Sequence, residues 1–87
     1  MIIKKGFMLR NVAGNNIVVA VGEASKHFSG VITLNETGAF LWNKLTKETT
    51  KEELVEALTN EYDISKEVAS NDIDEFIKKL QENKILE

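Results

Sequence analysis

The chain has 87 residues, of which 43% are hydrophobic and 29% charged, and this balance indicates one small folded domain spanning residues 1–87. It contains no cysteine and a single histidine, His27, which excludes disulfides, thiolate metal sites and multi-histidine centres. The longest aliphatic run, IVVAV at 17–21, is too short to cross a bilayer, and the N-terminus has no apolar stretch of signal-peptide length. We therefore expect a cytoplasmic protein with no membrane partner and no cofactor.

Charge divides the chain into two unlike parts. Residues 1–34 hold four basic side chains and one acid, a net charge of +3, whereas residues 35–87 hold seven lysines and thirteen acids, a net charge of −6. The two parts of the chain are therefore chemically different.

The first third predicts three strands. The segments 7–13 (FMLRNVA) and 16–21 (NIVVAV) are rich in β-branched and apolar residues, and Gly14-Asn15 between them suits the positive φ angles of a tight hairpin. A third short strand is predicted at 30–34 (GVITL). His27 falls in the polar connection before it, where we expect a solvated side chain.

From residue 35 the apolar spacing becomes helical. Asn35 is a good N-cap for a first helix that turns Gly38, Leu41, Trp42 and Leu45 to one face. A second helix is predicted from Thr50, where Thr50 and Glu53 fit a capping box, and a third helix from 66 to 83. Its inward residues are Ala69, Ile73, Phe76, Ile77 and Leu80.

This order predicts an α+β fold, a winged helix-turn-helix with a three-stranded antiparallel sheet followed by three helices. Phe40 and Trp42, on a short helix between the sheet and the other helices, are expected to pack in the core.

The sequence argues against catalysis, because the single histidine lies in a polar connection, the acid pairs 52/53 and 74/75 are helix neighbours that point in different directions, and no glycine-rich phosphate loop follows a strand. A DNA-binding transcriptional regulator is the alternative that the fold suggests, with the third helix in the major groove. Residues 66–75 (KEVASNDIDE), however, carry one lysine against four acids, and this net charge of −3 would repel a polyanion.

The third predicted strand is the element with binding potential. It is short and uncharged, and it carries neither the lysine nor the proline that usually protects a sheet edge. Either a loop or a helix covers this edge, or a peptide adds to it as a further strand by β-augmentation.

The stretch 31–45 (VITLNETGAFLWNKL) and the helical pattern after it resemble the PqqD-like family over roughly residues 28–86, with Leu34-Asn35-Glu36-Thr37-Gly38-Ala39 as the most specific part. The resemblance implies a recognition element, without enzymatic activity, for ribosomally made and post-translationally modified peptides. Such proteins hold the leader segment of a precursor between the third strand and the third helix and present it to a modifying enzyme, often a radical S-adenosylmethionine protein.

Mapped onto this chain, the resemblance and the apolar flank of the third helix predict a peptide groove. Phe76 would form its floor and Asp72 and Lys79 a charge-selective rim, and backbone amides of residues 31–33 would pair with the peptide. The full set of predicted peptide-binding residues is Gly30, Val31, Ile32, Thr33, Leu34, Val68, Asp72, Phe76 and Lys79.

Two features distinguish the chain from members that serve pyrroloquinoline quinone (PQQ) synthesis. It has no proline before the third strand, and Lys47-Glu48-Thr49 replaces the Asp-Gly after the first helix. The pathway therefore stays open between PQQ-like, lasso-peptide and other radical-enzyme routes. We expect a monomer, or a dimer formed by strand exchange, with no nucleic-acid partner.

Overall fold

The computed structural model describes residues 1–28 and 30–87; Ser29, in the predicted connection before the third strand, lies outside the described residues. Three strands form one antiparallel sheet in the order β1-β2-β3, and three α-helices follow. The elements are β1 (Phe7–Val12), β2 (Asn15–Ala20), β3 (Ile32–Leu34), α1 (Glu36–Lys44), α2 (Lys51–Glu61) and α3 (Lys66–Glu82). The predicted winged helix-turn-helix is confirmed.

The β1–β2 hairpin turns one residue earlier than predicted. Val12 pairs with Asn15, so the two turn residues are Ala13 and Gly14, whose φ angles are 52° and 83°. Positive φ at both central residues is the mark of a type I′ turn, which matches the twist of the flanking strands. The Gly14-Asn15 prediction for this turn was wrong because the pairing register, which the sequence does not display, assigns Asn15 to the strand.

The third strand is shorter than the predicted 30–34. It begins at Ile32, after Gly30 with a φ angle of 92°, and pairs with β2 through Ile32–Val18, Thr33–Ile17 and Leu34–Asn16. Leu34 is buried and Thr33 exposed, as expected for alternate residues on the two faces of a sheet. Gly30, two residues before the strand, has a positive φ angle, and regular pairing with β2 begins only after it.

Each helix starts at a side-chain cap. Asn35 Oδ1 accepts from the N–H of Gly38 at 2.8 Å, and Ser65 Oγ accepts from the N–H of Val68 at 3.2 Å. Thr50 accepts from the Glu53 N–H, as predicted. The Glu53 carboxylate, however, accepts from the Thr50 hydroxyl and not from its amide, so the capping box is only half formed.

The core lies between the inner face of the sheet and the three helices. Its buried apolar side chains are Val18, Leu34, Leu41, Trp42, Leu45, Leu54, Leu58, Ala69, Ile73, Phe76, Leu80, Ile85 and Leu86. Trp42 packs in the core as predicted, and Phe40 is half-buried with its ring edge-on to Tyr62, the centroids 5.8 Å apart. Within the described residues, no helix is long and apolar enough to span a membrane.

Two local structures were not predicted. Residues Gly22–Lys26 form a 3₁₀ helix between β2 and β3. The N-terminal segment joins the C-terminal one: Ile3 forms an antiparallel bridge with Leu86 and also donates its N–H to Leu45 O at 3.0 Å. Short apolar termini carry no periodicity, so only their contacts reveal this pairing.

Candidate peptide-binding groove

The direction of the main-chain groups in β2 follows from one hydrogen bond at the end of the hairpin. The Val21 N–H donates to Gly6 O at 2.7 Å, and this pair lies one step beyond the Phe7–Ala20 pair in the register. Hydrogen-bonded and non-hydrogen-bonded pairs alternate along an antiparallel ladder. The odd-numbered residues of β2 therefore bond to β1, and the even-numbered residues direct their main-chain groups toward β3.

This alternation decides which part of β3 is free. Ile32 and Leu34 lie opposite even-numbered residues of β2 and bond to them, whereas Thr33, opposite Ile17, directs its N–H and C=O to the outer edge. Among the described residues, no backbone hydrogen bond outside the ladder involves residues 31–34. Thr33 thus offers an open edge, whereas the Ile32 amide, which was predicted to pair with the peptide, is directed toward β2.

Beside this edge lies an open groove of about 930 Å³. One wall is β3 with the hairpin turn and the first turn of α1, and the other is α3. The lining residues are Gly14, Asn15, Asn16, Thr33, Leu34, Asn35, Glu36, Thr37, Gly38, Leu41, Asp72, Glu75, Phe76 and Lys79. A groove of this form, with a free strand edge on one wall, has the shape that an extended peptide requires.

The floor of the groove is apolar, and a glycine allows the elements around it to pack closely. Leu41 and Leu34 are buried, and Phe76 is only 8% exposed. A Cβ added at Gly38 would lie 3.3 Å from the Leu34 Cβ and 3.5 Å from Phe76 Cε1. The absence of a side chain at Gly38 therefore lets the first turn of α1 approach both β3 and α3.

The groove residues of α3 share one face because they are spaced i, i+3, i+4 and i+7, at 72, 75, 76 and 79. Among the predicted site residues, the structure brings together Thr33, Leu34, Asp72, Phe76 and Lys79. The other four do not line the groove. Gly30 and Val31 precede the strand, Ile32 packs against the core, and Val68 lies eight residues before Phe76, about 12 Å away along the helix axis.

On the wall formed by β3, the hairpin and α1, only Thr33 and Leu34 were predicted. The hairpin residues 14–16 line the groove because Asn16 pairs with Leu34. Residues 35–38 line it because α1 starts beside the end of β3. Glu75 was missed although it lies three residues after Asp72 on the same helical face. Helical spacing could have revealed Glu75, but the hairpin residues required knowledge of the strand register.

The Tyr62 side chain, at the end of α2, has a perturbed pKa. Partial burial raises the pKa of the Tyr62 hydroxyl, and the Glu36 and Glu61 carboxylates raise it further. The phenol is therefore neutral near neutral pH. Among the described residues, no three acidic, histidine or cysteine side chains come together as a metal site would require.

Comparison with known proteins agrees with this architecture. The sequence profile described as "Coenzyme PQQ synthesis protein D (PqqD)" matches residues 16–86. The chain belongs to the PqqD family. A comparison with curated proteins gives no match.

Two solved structures share the PqqD-like fold of this chain. One is described as TbiB1 in complex with the TbiA(beta) leader peptide; it is 20% identical, with a TM-score of 0.79, and the match covers 100% of this chain and 95% of that one. The other is lasso peptide synthetase B1 complexed with the leader peptide, 19% identical, with a TM-score of 0.74 and coverage of 95% and 92%. At this level of identity the likeness establishes the fold.

Proposed function

We propose that this PqqD-family protein binds the leader segment of a ribosomally made precursor peptide by β-augmentation and presents it to a modifying enzyme. The observation that carries this proposal is the outward-facing main chain of Thr33 beside the groove floored by Phe76. An extended peptide on that edge would gain main-chain hydrogen bonds from β3 and an apolar contact from Phe76. Thr33, Leu34, Asp72, Phe76 and Lys79 form the central part of the proposed site.

The two proteins of similar fold support this proposal, because both are described in complexes with leader peptides. Core residues come from the sheet and from all three helices, so we treat residues 1–87 as one leader-binding domain. The precursor is made by ribosomes, so we place the encounter in the cytoplasm.

We further infer that the protein catalyses nothing alone and that its second partner is the modifying enzyme, with a radical S-adenosylmethionine enzyme as the first candidate. The groove residues support this division of labour. They supply a strand edge, amides, one ammonium group and carboxylates, and the only hydroxyl side chains are those of Thr33 and Thr37. These groups suit binding of a peptide more than activation of a nucleophile.

The DNA-binding alternative gains no support from the geometry. A recognition helix needs basic or amide side chains facing the phosphate backbone and base edges. On α3, Asp72 and Glu75 are exposed on the face that lines the groove, and the first turn contributes Glu67. These carboxylates would repel DNA backbone phosphates.

The test is a titration of the ¹⁵N-labelled protein with a synthetic peptide, the leader of the precursor encoded beside its gene, followed by amide resonances. We expect the largest shifts at Thr33, Leu34 and Phe76 and small ones on β1. A peptide of the same composition in shuffled order is the control. The absence of any shift at millimolar leader peptide, or equal shifts with the shuffled peptide, would refute the proposed function.

A further inference from the structure

The charges on the groove walls do not cancel. Four charged residues line the groove, the carboxylates Glu36, Asp72 and Glu75 and the ammonium Lys79, and together they carry a net charge of −2. Glu36 lies in the first turn of α1, whereas the other three lie on α3. Carboxylates therefore occupy both walls, with the apolar floor of Leu34 and Phe76 between them.

The salt bridges among the described residues do not involve these charges. Within the described residues none of the four forms a salt bridge, and this holds even for Glu75 and Lys79, whose i, i+4 spacing favours one. The ion pairs made by α3 use other residues, Lys51 with Asp74 at 2.8 Å and Lys78 with Glu82 at 4.0 Å. The carboxylates of the groove are thus available to a ligand.

The shape of the groove strengthens their effect. A cleft lined by one sign of charge, with low-dielectric walls, concentrates the electric field and raises the local concentration of oppositely charged groups. A strand added to the Thr33 edge would run between Glu36 on one wall and Asp72 and Glu75 on the other. A cationic side chain of that strand would be attracted from both sides, and an anionic one would meet attraction only from Lys79.

From this arrangement we infer that the peptide segment held in the groove is basic: it carries at least one lysine or arginine next to an apolar residue that packs on Phe76. The inference rests on the proposed function and adds the chemical class of the ligand. Acidic segments are rejected by the same field, so the groove discriminates among precursors by charge as well as by its strand edge.

The experiment selects ligands without assuming their sequence. A phage-displayed library of random peptides is selected on the protein, and clones that also bind Thr33→Pro are discarded so that only edge-dependent ligands remain. We expect these ligands to be enriched in lysine and arginine and depleted in aspartate and glutamate. Edge-dependent ligands with no basic enrichment, or with acidic enrichment, would overturn the inference while leaving the proposed function standing. A selection without any edge-dependent ligand would refute both.

A set of neutralised variants then tests which carboxylates matter. For a selected basic peptide, Glu36→Gln, Asp72→Asn and Glu75→Gln should each weaken binding about two- to fivefold, as expected for exposed ion pairs. Raising the salt concentration from about 0.1 M to about 1 M shortens the screening length from about 10 Å to about 3 Å and should remove most of the difference.

The control for these variants changes net charge equally outside the groove. Glu52→Gln, Asp63→Asn and Glu67→Gln alter exposed residues that do not line it, and two of them lie in a first helical turn, as Glu36 does. They should leave the affinity within about a factor of two. Equal losses in both sets would mean that overall charge, and not the groove, attracts the peptide, and would overturn the inference.

Discussion

Replacing Thr33 with proline isolates the free edge of β3 from the rest of the sheet. The Thr33 N–H faces outward, so proline at this position removes a donor to the bound peptide and leaves the β2–β3 ladder bonds of Ile32 and Leu34 intact. Proline is tolerated in an edge strand when its missing N–H faces solvent. We expect the free energy of unfolding to change by less than about 1 kcal/mol, since Thr33 is exposed and no ladder bond is lost.

The effect on binding should be larger than the effect on folding. One lost main-chain hydrogen bond removes about 1 kcal/mol, and the peptide carbonyl left unpaired against the groove adds about 1 kcal/mol or more. A total of about 2 kcal/mol corresponds to roughly a thirtyfold increase in Kd. Isothermal titration of leader peptide into wild type and variant measures this change, with urea unfolding followed by circular dichroism as the measure of stability.

Two matched variants define the result. Thr33→Val keeps the N–H at the same exposed position and should bind within about threefold of wild type, because the side chain is not the source of the hydrogen bond. Ile32→Pro removes a donor from the β2 ladder and should instead destabilise the fold by about 2 kcal/mol, the cost of a lost hydrogen bond whose acceptor is left unpaired. If Thr33→Pro stays folded and binds leader peptide as tightly as wild type, the β3 edge is not the docking site.

Four further predictions follow from the structure. Asn35→Ala removes the α1 cap bond to Gly38 and should lower stability in urea by about 1 kcal/mol; an unchanged midpoint would mean that the cap contributes nothing. Gly38→Ala should raise the Kd for leader peptide and also lower stability in urea, because its methyl group would lie 3.2 Å from the Asn35 cap oxygen and 3.3 Å from the Leu34 Cβ; an unchanged affinity would place the ligand elsewhere. Random duplex DNA should not be retarded in a gel at micromolar protein and low salt, and a shifted band would revive the regulator alternative. Light scattering should report mostly monomer; a single dimer that stays stable across dilution would contradict this expectation.

Much of the architecture was predictable because its signals are local. The helix starts follow from short-range hydrogen bonds. The N-cap side chains of Asn35, Thr50 and Ser65 each accept a hydrogen bond from the backbone N–H three residues later. The buried face of α3 follows from a spacing of three and four residues. The family signature around Leu34–Ala39 lies where strand passes into helix, and the profile match over residues 16–86 confirms that resemblance.

The predictions that were wrong, and the features that were not predicted, depend on pairing between segments that are distant in the chain. The turn residues Ala13 and Gly14 were misassigned because moving the turn by one residue shifts the strand pairing by two, which leaves each apolar side chain on the same face. The bridge between Ile3 and Leu86 joins two short apolar segments with no periodicity of their own. The hairpin residues 14–16 of the groove were missed for the same reason, since they reach it only once β3 pairs with β2.

The sequence alone therefore determined the order of the elements, the faces that the helices bury and the acidity of α3, because each depends on residues within a few positions of one another. Only the tertiary structure decided which amide of β3 is free and which residues face Phe76 across the groove. Register and packing are set by long-range contacts, and a shift of one residue exchanges the bonded and free positions of an edge strand. The hydrogen bond between Gly6 and Val21 fixes which residues of β2 bond to β1, and this alternation leaves the Thr33 N–H without a partner in β2.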